Sequence, residues 1–139
     1  MSDFIKLSIV TPEKKLFEGE IQQLTIETVE GKRTILPLHS PFIFMLIPSI
    51  SEFVDSKGEG KKFFSSSGIL KVKTKEITMV CDAAEWPEDI DKFRAEEAKK
   101  RAESRLKEGT SIDVRRAEMS LLRAIKRNEL INKKSKERE

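Results

Sequence analysis

Trp86-Pro87-Glu88-Asp89-Ile90-Asp91-Lys92-Phe93-Arg94-Ala95 is the stretch at which this chain changes character. The residue before a proline is pushed out of helical conformation, and proline has no N–H to donate, so Trp86-Pro87 punctuates the chain. Directly behind it, Ile90-Asp91-x-x-Arg94-Ala95 reads as a helix start. Asp91 stands where an N-cap belongs, and Ile90 can staple onto Ala95. The same Ile-Asp-x-x-Arg-Ala motif returns at Ile112 to Ala117, with Asp113 in the matching position. Two such starts, separated by Lys107-Glu108-Gly109-Thr110-Ser111 with its helix-ending glycine, describe a helical hairpin.

The facing stripes of that hairpin are small: Ala95, Ala98, Ala102 and Leu106 on the first helix, and Val114, Ala117, Leu121 and Ala124 on the second. Small residues let two antiparallel helices approach closely, while the rest of each circumference is Lys, Arg and Glu. So little apolar area goes under that such a hairpin is expected to open or relocate. The tail from Asn132 to Glu139 has no apolar face and is expected to fray.

Upstream of Trp86 the pattern is different. Apolar residues fall at every second position at Ile5, Leu7 and Ile9, at Leu24 and Ile26, at Leu70 and Val72, and at Ile77, Met79 and Cys81. Each set is the inward face of a half-buried strand. Turn residues separate them at Thr11-Pro12-Glu13, Val29 to Lys32, Asp55 to Gly60 and Ser67-Gly68. The segment from Ile35 to Pro48 is too apolar for a solvated loop, and is either core-crossing chain or a partner surface. The fold class is therefore α+β, β then α. An antiparallel β-sandwich or flattened barrel over 1–87 is followed by an antiparallel two-helix hairpin over 88–139.

With 139 residues there is room for one ordinary domain and an extension. The net charge of +3 is unevenly spread: residues 88–139 carry 16 Lys/Arg against 12 Asp/Glu, and residues 1–87 carry 11 against 12. The hairpin is the basic part. Cys81 has no second cysteine to pair with and reads as a buried strand thiol in a reducing compartment. No apolar run approaches the ~20 residues that span a bilayer, and the N-terminus carries no secretory pattern, so a soluble cytoplasmic protein is expected.

Catalytic constellations are missing. No phosphate-cradling Gly-rich loop, nucleophile elbow or dinucleotide fingerprint occurs, and His39 is the lone histidine, too few for the usual metal site. His39 and Trp86 read more readily as structural residues than as ligands. No enzyme is expected and no metal is required. The arginines ask for more: Arg94 and Arg116 sit in first helical turns, where the macrodipole disfavours a cation. Arg94 and Arg101 share one face, as do Arg123 and Arg127. If those faces meet, four guanidiniums converge near Glu85 and Asp91. Guanidinium forks match phosphate oxygens, and carboxylates accept from a ribose hydroxyl or an adenine amino group. The plain alternative is a solvated charged face.

Lys6 to Glu13, Leu16 to Glu20, Ile35 to Pro41, Ser67 to Val72, and Asp82-Ala83-Ala84-Glu85 followed by the Ile-Asp-x-x-Arg-Ala motif, in this order and spacing, resemble the epsilon subunit of bacterial F-type ATP synthase. The resemblance runs from about Phe4 to about Leu130. It implies a noncatalytic rotor-stalk subunit at the cytoplasmic face of the bacterial inner membrane, peripheral to it. Its sandwich would bind the gamma subunit and the c-ring, and its mobile hairpin would restrain ATP hydrolysis when extended. The loops carrying Gly31, Lys32 and His39 would then face the c-ring, with Lys32, Thr34 and Leu38 departing from the family's residues there. The basic residues Arg115, Arg116, Arg123, Lys126 and Arg127 would suit an acidic segment of the beta subunits. Some members bind ATP on the folded hairpin as a regulatory ligand. The positions similar to theirs are Glu85, Asp91, Arg94 and Arg101 on the first arm and Arg123 and Arg127 on the second. The reading from another class is a free-standing basic helical module that binds nucleic acid, with affinity falling steeply as salt rises.

Overall fold

A computed structural model describes the backbone of residues 3–108 and 111–138, and the side chains of all of these except 108, 111–113 and 133–138. The chain forms two compact units, Met1–Glu85 and Trp86–Glu139, dividing two residues before the expected boundary.

The first unit is built from β1 (Ile5–Val10), β2 (Lys15–Thr28), β3 (Gly31–Ile35), β4 (Phe42–Leu46), β5 (Ser49–Asp55), β6 (Gly60–Ser65), β7 (Gly68–Val72), β8 (Glu76–Cys81) and β9 (Ala84–Glu85). The strands run β1-β8-β7-β4-β2-β5-β6-β9, with β3 against β2, and β1 also pairs with β2, so the sheet folds over and closes on itself. β2 pairs with β1 through its first half and with β3 and β5 through its second, and its register with β5 slips between Ile21 and Gln23. The period-two sets are the core: Ile5, Leu7, Ile9, Leu24, Ile26, Leu70, Val72, Ile77, Met79 and Cys81 are all buried. Phe53 stands among them, its ring centroid 4.5 Å from Phe17 and 6.0 Å from Phe63. One pairing departs from the antiparallel expectation. β1 and β8 run parallel, Leu7 opposite Ile77 and Ile9 opposite Met79, because closure lays the first long strand beside the last.

The turns follow their sequence chemistry. Thr28 Oγ1 donates to the Gly31 carbonyl at 2.8 Å and accepts from Glu30 N–H at 3.1 Å, while Gly31 takes the φ of +122° that a side chain would resist. Asp55 Oδ1 accepts from the amides of Lys57 and Glu59, both at 2.9 Å, which closes the β5–β6 connection. Core polarity is satisfied internally: Ser51 and Ser65 share a hydrogen bond of 2.8 Å between buried hydroxyls.

In the second unit Trp86 is extended at φ −70° and ψ 153°, and Pro87–Asp89 form a short 3₁₀ turn, as the Trp-Pro pair requires. α1 (Lys92–Glu108) and α2 (Ser111–Arg138) follow. Ala95, Ala102, Ala117 and Ala124 are buried, so the small-residue seam forms as its spacing demands. Four methyl-sized groups at ~0.8 kcal/mol each contribute about 3 kcal/mol and the buried Leu130 about 1.5–3 kcal/mol more, still a thin core for two helices. One expectation is corrected. Asp113 is the third residue of α2, inside its first turn, because the helix begins at Ser111. The tail from Asn132 is part of α2 as far as Arg138, in keeping with the high helix propensity of Lys, Glu and Arg.

Gly68 makes a close β7–β8 approach possible: a Cβ there would collide with the Val80 carbonyl oxygen and stand 2.8 Å from Cys81 Cα. Gly68→Ala is therefore expected to lower unfolding free energy by about 1–3 kcal/mol in urea titration, the usual cost of overpacking. Burial pushes the neighbouring Cys81 thiol up to about 12, with the Asp82 carboxylate adding to the shift. At pH 8 native Cys81 should resist a thiol reagent that modifies it at once in denaturant. Since the folded value lies above the usual 9.0, the stability linked to this thiol is complete below pH 9 and falls as pH rises toward 12. A pH-stability curve of Cys81→Ser lacking that alkaline decline would agree.

Candidate functional site

The first helix start is built as its sequence implies. Asp91 precedes α1, its Oδ1 accepts from Arg94 N–H at 3.1 Å, and its carbonyl accepts from Ala95 N–H at 3.0 Å. That is an N-cap, and it sets a carboxylate at this end of a helix whose own first turn carries no acid. Arg94 stands at the third helical position, exposed. Its cation therefore lies at the positive end of the helix dipole, where nothing in the helix itself favours it.

Two grooves run along the α1–α2 seam. One, of about 220 Å³, is lined by Ala98, Arg101, Ala102, Arg105 and Ser120. Arg123 Nη2 donates to the hydroxyl of that same Ser120 at 2.9 Å, which ties a guanidinium of α2 to the groove that Arg101 and Arg105 border from α1. The alanines form the floor and arginines the rim. Such a cleft is concave, positively charged and free of carboxylates in its lining, which suits an anion. The other groove, about 370 Å³, is larger but alternates Lys92, Lys99 and Lys100 with Glu96 and Glu103, so any polyphosphate in it would meet two acids. Chemistry favours the smaller one.

The residues of the expected ligand set fall as follows. Arg101 lines the smaller groove together with Ser120, and Arg123 donates to Ser120 from the next turn of α2. Arg127 is half-buried on α2, four residues beyond Arg123. Asp91 and Arg94 lie at the start of α1, Asp91 with one carboxylate oxygen engaged by the cap. Glu85 belongs to the first unit, on β9 opposite Phe64. Arg105 and Ser120 were missed, although spacing could have found both: Arg105 is one turn beyond Arg101, and Ser120 is one turn before Arg123.

The expected partner residues are on the surface. Gly31 and Lys32 lie at the β2–β3 turn, exposed, and Arg115 and Arg116 are exposed on α2. His39 is half-buried, its Nδ1 2.6 Å from the Ser40 carbonyl and its ring edge-on to Phe44 at 6.3 Å. It follows Leu38, the one described non-glycine residue with positive φ, at +65°. Lys126 pairs with Glu129 of its own helix at 3.5 Å. Among the described residues no group of three His, Cys, Asp or Glu side chains is placed to hold a metal ion, and no helix is long and apolar enough to cross a membrane.

The segment from Ile35 to Pro48 is partly core and partly open. Ile35, Leu46 and Pro48 are buried, whereas Leu36, Leu38, Phe42, Ile43 and Met45 are at least half exposed. Met45 lies opposite Ile69, and Ile69 opposite Val80, so three apolar side chains that are 50–63% exposed form a row across β4, β7 and β8.

Residues 4–87 match the family described as ATP synthase, Delta/Epsilon chain, beta-sandwich domain, and residues 88–132 match ATP synthase, Delta/Epsilon chain, long alpha-helix domain. The chain is 60% identical to an ATP synthase epsilon chain of Clostridium novyi, over 94% of this chain and the whole of the relative. It is 48% identical to that of Clostridium acetobutylicum, over 77% of this chain and 80% of the relative. In fold it is similar to a chain of the Euglena gracilis mitochondrial ATP synthase OSCP/F1/c-ring structure, at a TM-score of 0.79 and 20% identity, covering 95% of this chain and 81% of that one.

Losing the Asp91 cap should cost about 0.5–2 kcal/mol. Asp91→Ala is expected to speed hydrogen exchange at the Arg94 amide and to lower the melting temperature, with Asp91→Asn close to wild type in both measurements.

Proposed function

Because the chain belongs to the ATP synthase epsilon chain family, we propose that it is a noncatalytic subunit of the rotor stalk, coupling the gamma subunit to the c-ring and restraining ATP hydrolysis through its C-terminal helices. The apolar row of Met45, Ile69 and Val80 supports a docking face on the sandwich, and gamma is the partner for it. The turn at Gly31 and Lys32 and the loop at His39 are offered to the c-ring. The exposed Arg115 and Arg116 are offered to acidic segments of the beta subunits, and the whole sits peripherally on the cytoplasmic side of the bacterial membrane.

The helical unit is the regulator, and ATP is its ligand. The observation that supports this is a groove lined by Arg101, Arg105 and Ser120, whose Ser120 hydroxyl is held by Arg123. A ligand that binds only the folded hairpin stabilises that state by RT ln(1 + [L]/Kd), so ATP at 100 times its Kd adds about 2.7 kcal/mol. That is similar in size to the alanine seam itself, which makes the hairpin's state responsive to nucleotide. Arg101 and Arg123 meet the phosphates, with Arg94 and Arg127 flanking, and Asp91 serves as an acceptor for the nucleoside.

Titrating the isolated chain with ATP is expected to give saturable heats and amide shifts confined to α1 and α2, weakened about tenfold or more by Arg101→Ala or Arg123→Ala, as for loss of a charged hydrogen bond. No response at millimolar ATP would remove the ligand and leave the subunit assignment to be tested by co-purification with gamma.

A further inference from the structure

We infer that Ser120 is a positioning residue for the phosphate tail of the ligand, holding Arg123 at the groove before the ligand arrives and donating its own hydroxyl proton to a phosphate oxygen afterwards. The inference rests on the nucleotide reading above and assigns a residue outside the ligand set given there. A serine hydroxyl has one proton to give and two lone pairs. One lone pair accepts from Arg123 Nη2 at 2.9 Å, which leaves the proton available to an oxygen lying in the groove that Ser120 also lines. An arginine side chain has many rotamers, and one already held by a neighbour on its own helix loses less freedom on binding.

Groove chemistry decides which part of the ligand this is. With two α1 arginines and one hydroxyl on its walls, and alanines beneath, it suits a chain of phosphates. Ser120 should therefore discriminate nucleotides by phosphate number.

The test is calorimetric titration of the full chain with ATP, ADP and AMP, for wild type, Ser120→Ala, Ser120→Thr and Arg123→Ala. Ser120→Ala is expected to weaken ATP by about 10- to 150-fold, the range for a lost hydrogen bond to a charged group, and AMP by much less. Ser120→Thr should return ATP affinity to near the wild-type value. Alanine has the higher helix propensity, so unravelling of α2 does not produce this pattern. If Ser120→Ala binds ATP as wild type does while Arg123→Ala is weakened, the Ser120 assignment falls and the nucleotide reading stands. Equal weakening toward ATP and AMP, or Ser120→Thr as weak as Ser120→Ala, also overturns the assignment. A wild-type chain silent toward all three nucleotides overturns both.

Discussion

The first unit depends on a single strand serving two sides of a closed sheet. β2 hydrogen-bonds to β1, β3, β4 and β5, and the slip at Gln22 is where it leaves one set of partners for the other. Without that shared strand the same residues would make two open sheets with free edges, which invite pairing with other chains. With it, Ile21, Leu24 and Ile26 can all be buried along one continuous strand, and β1 is brought beside both β2 and β8. The close approach at Gly68 and the internal bond between Ser51 and Ser65 belong to the same tightly packed interior.

The second unit is held by a weaker principle. Where the sandwich buries Phe53, Phe63 and Phe64 completely, the helices bury mostly alanines against one another. Most of their surface is charge, and the exposed ion pairs there add little. Phe93 is 72% exposed near the start of α1, which further limits how much apolar surface this unit puts away. Stability of this modest size leaves the helical unit far less firmly held than the sandwich.

Much of this was legible from residue spacing. Alternation at Ile5, Leu7 and Ile9, and at Ile77, Met79 and Cys81, gave the inward faces directly, because the period of a strand is local information. Trp86-Pro87 and Asp91 set the start of α1 for equally local reasons. The parallel pairing of β1 with β8 was not legible, since it joins positions about 70 residues apart through closure of the sheet. Nor was the capping role given to Asp113: the repeated motif is identical in its fixed residues, yet the second helix begins before it. Arg101 and Arg123 could be placed on their faces, but that Ser120 of α2 lines one groove with Arg101 and Arg105 depends on how the two helices are registered, which a heptad count leaves open. Alternation also could not tell that Met45, Ile69 and Val80 stay uncovered, because an apolar strand face looks the same whether the protein or a partner covers it.

That uncovered row has a consequence for how copies of the chain behave together. A subunit that shows several large apolar side chains on one sheet face, with Ile43, Phe42 and Leu38 close by in sequence, is at risk wherever its copies meet. Copies of the chain brought together at high concentration would find one another through that face. The sandwich therefore carries on its surface a reason for self-association that its well-packed interior does not share.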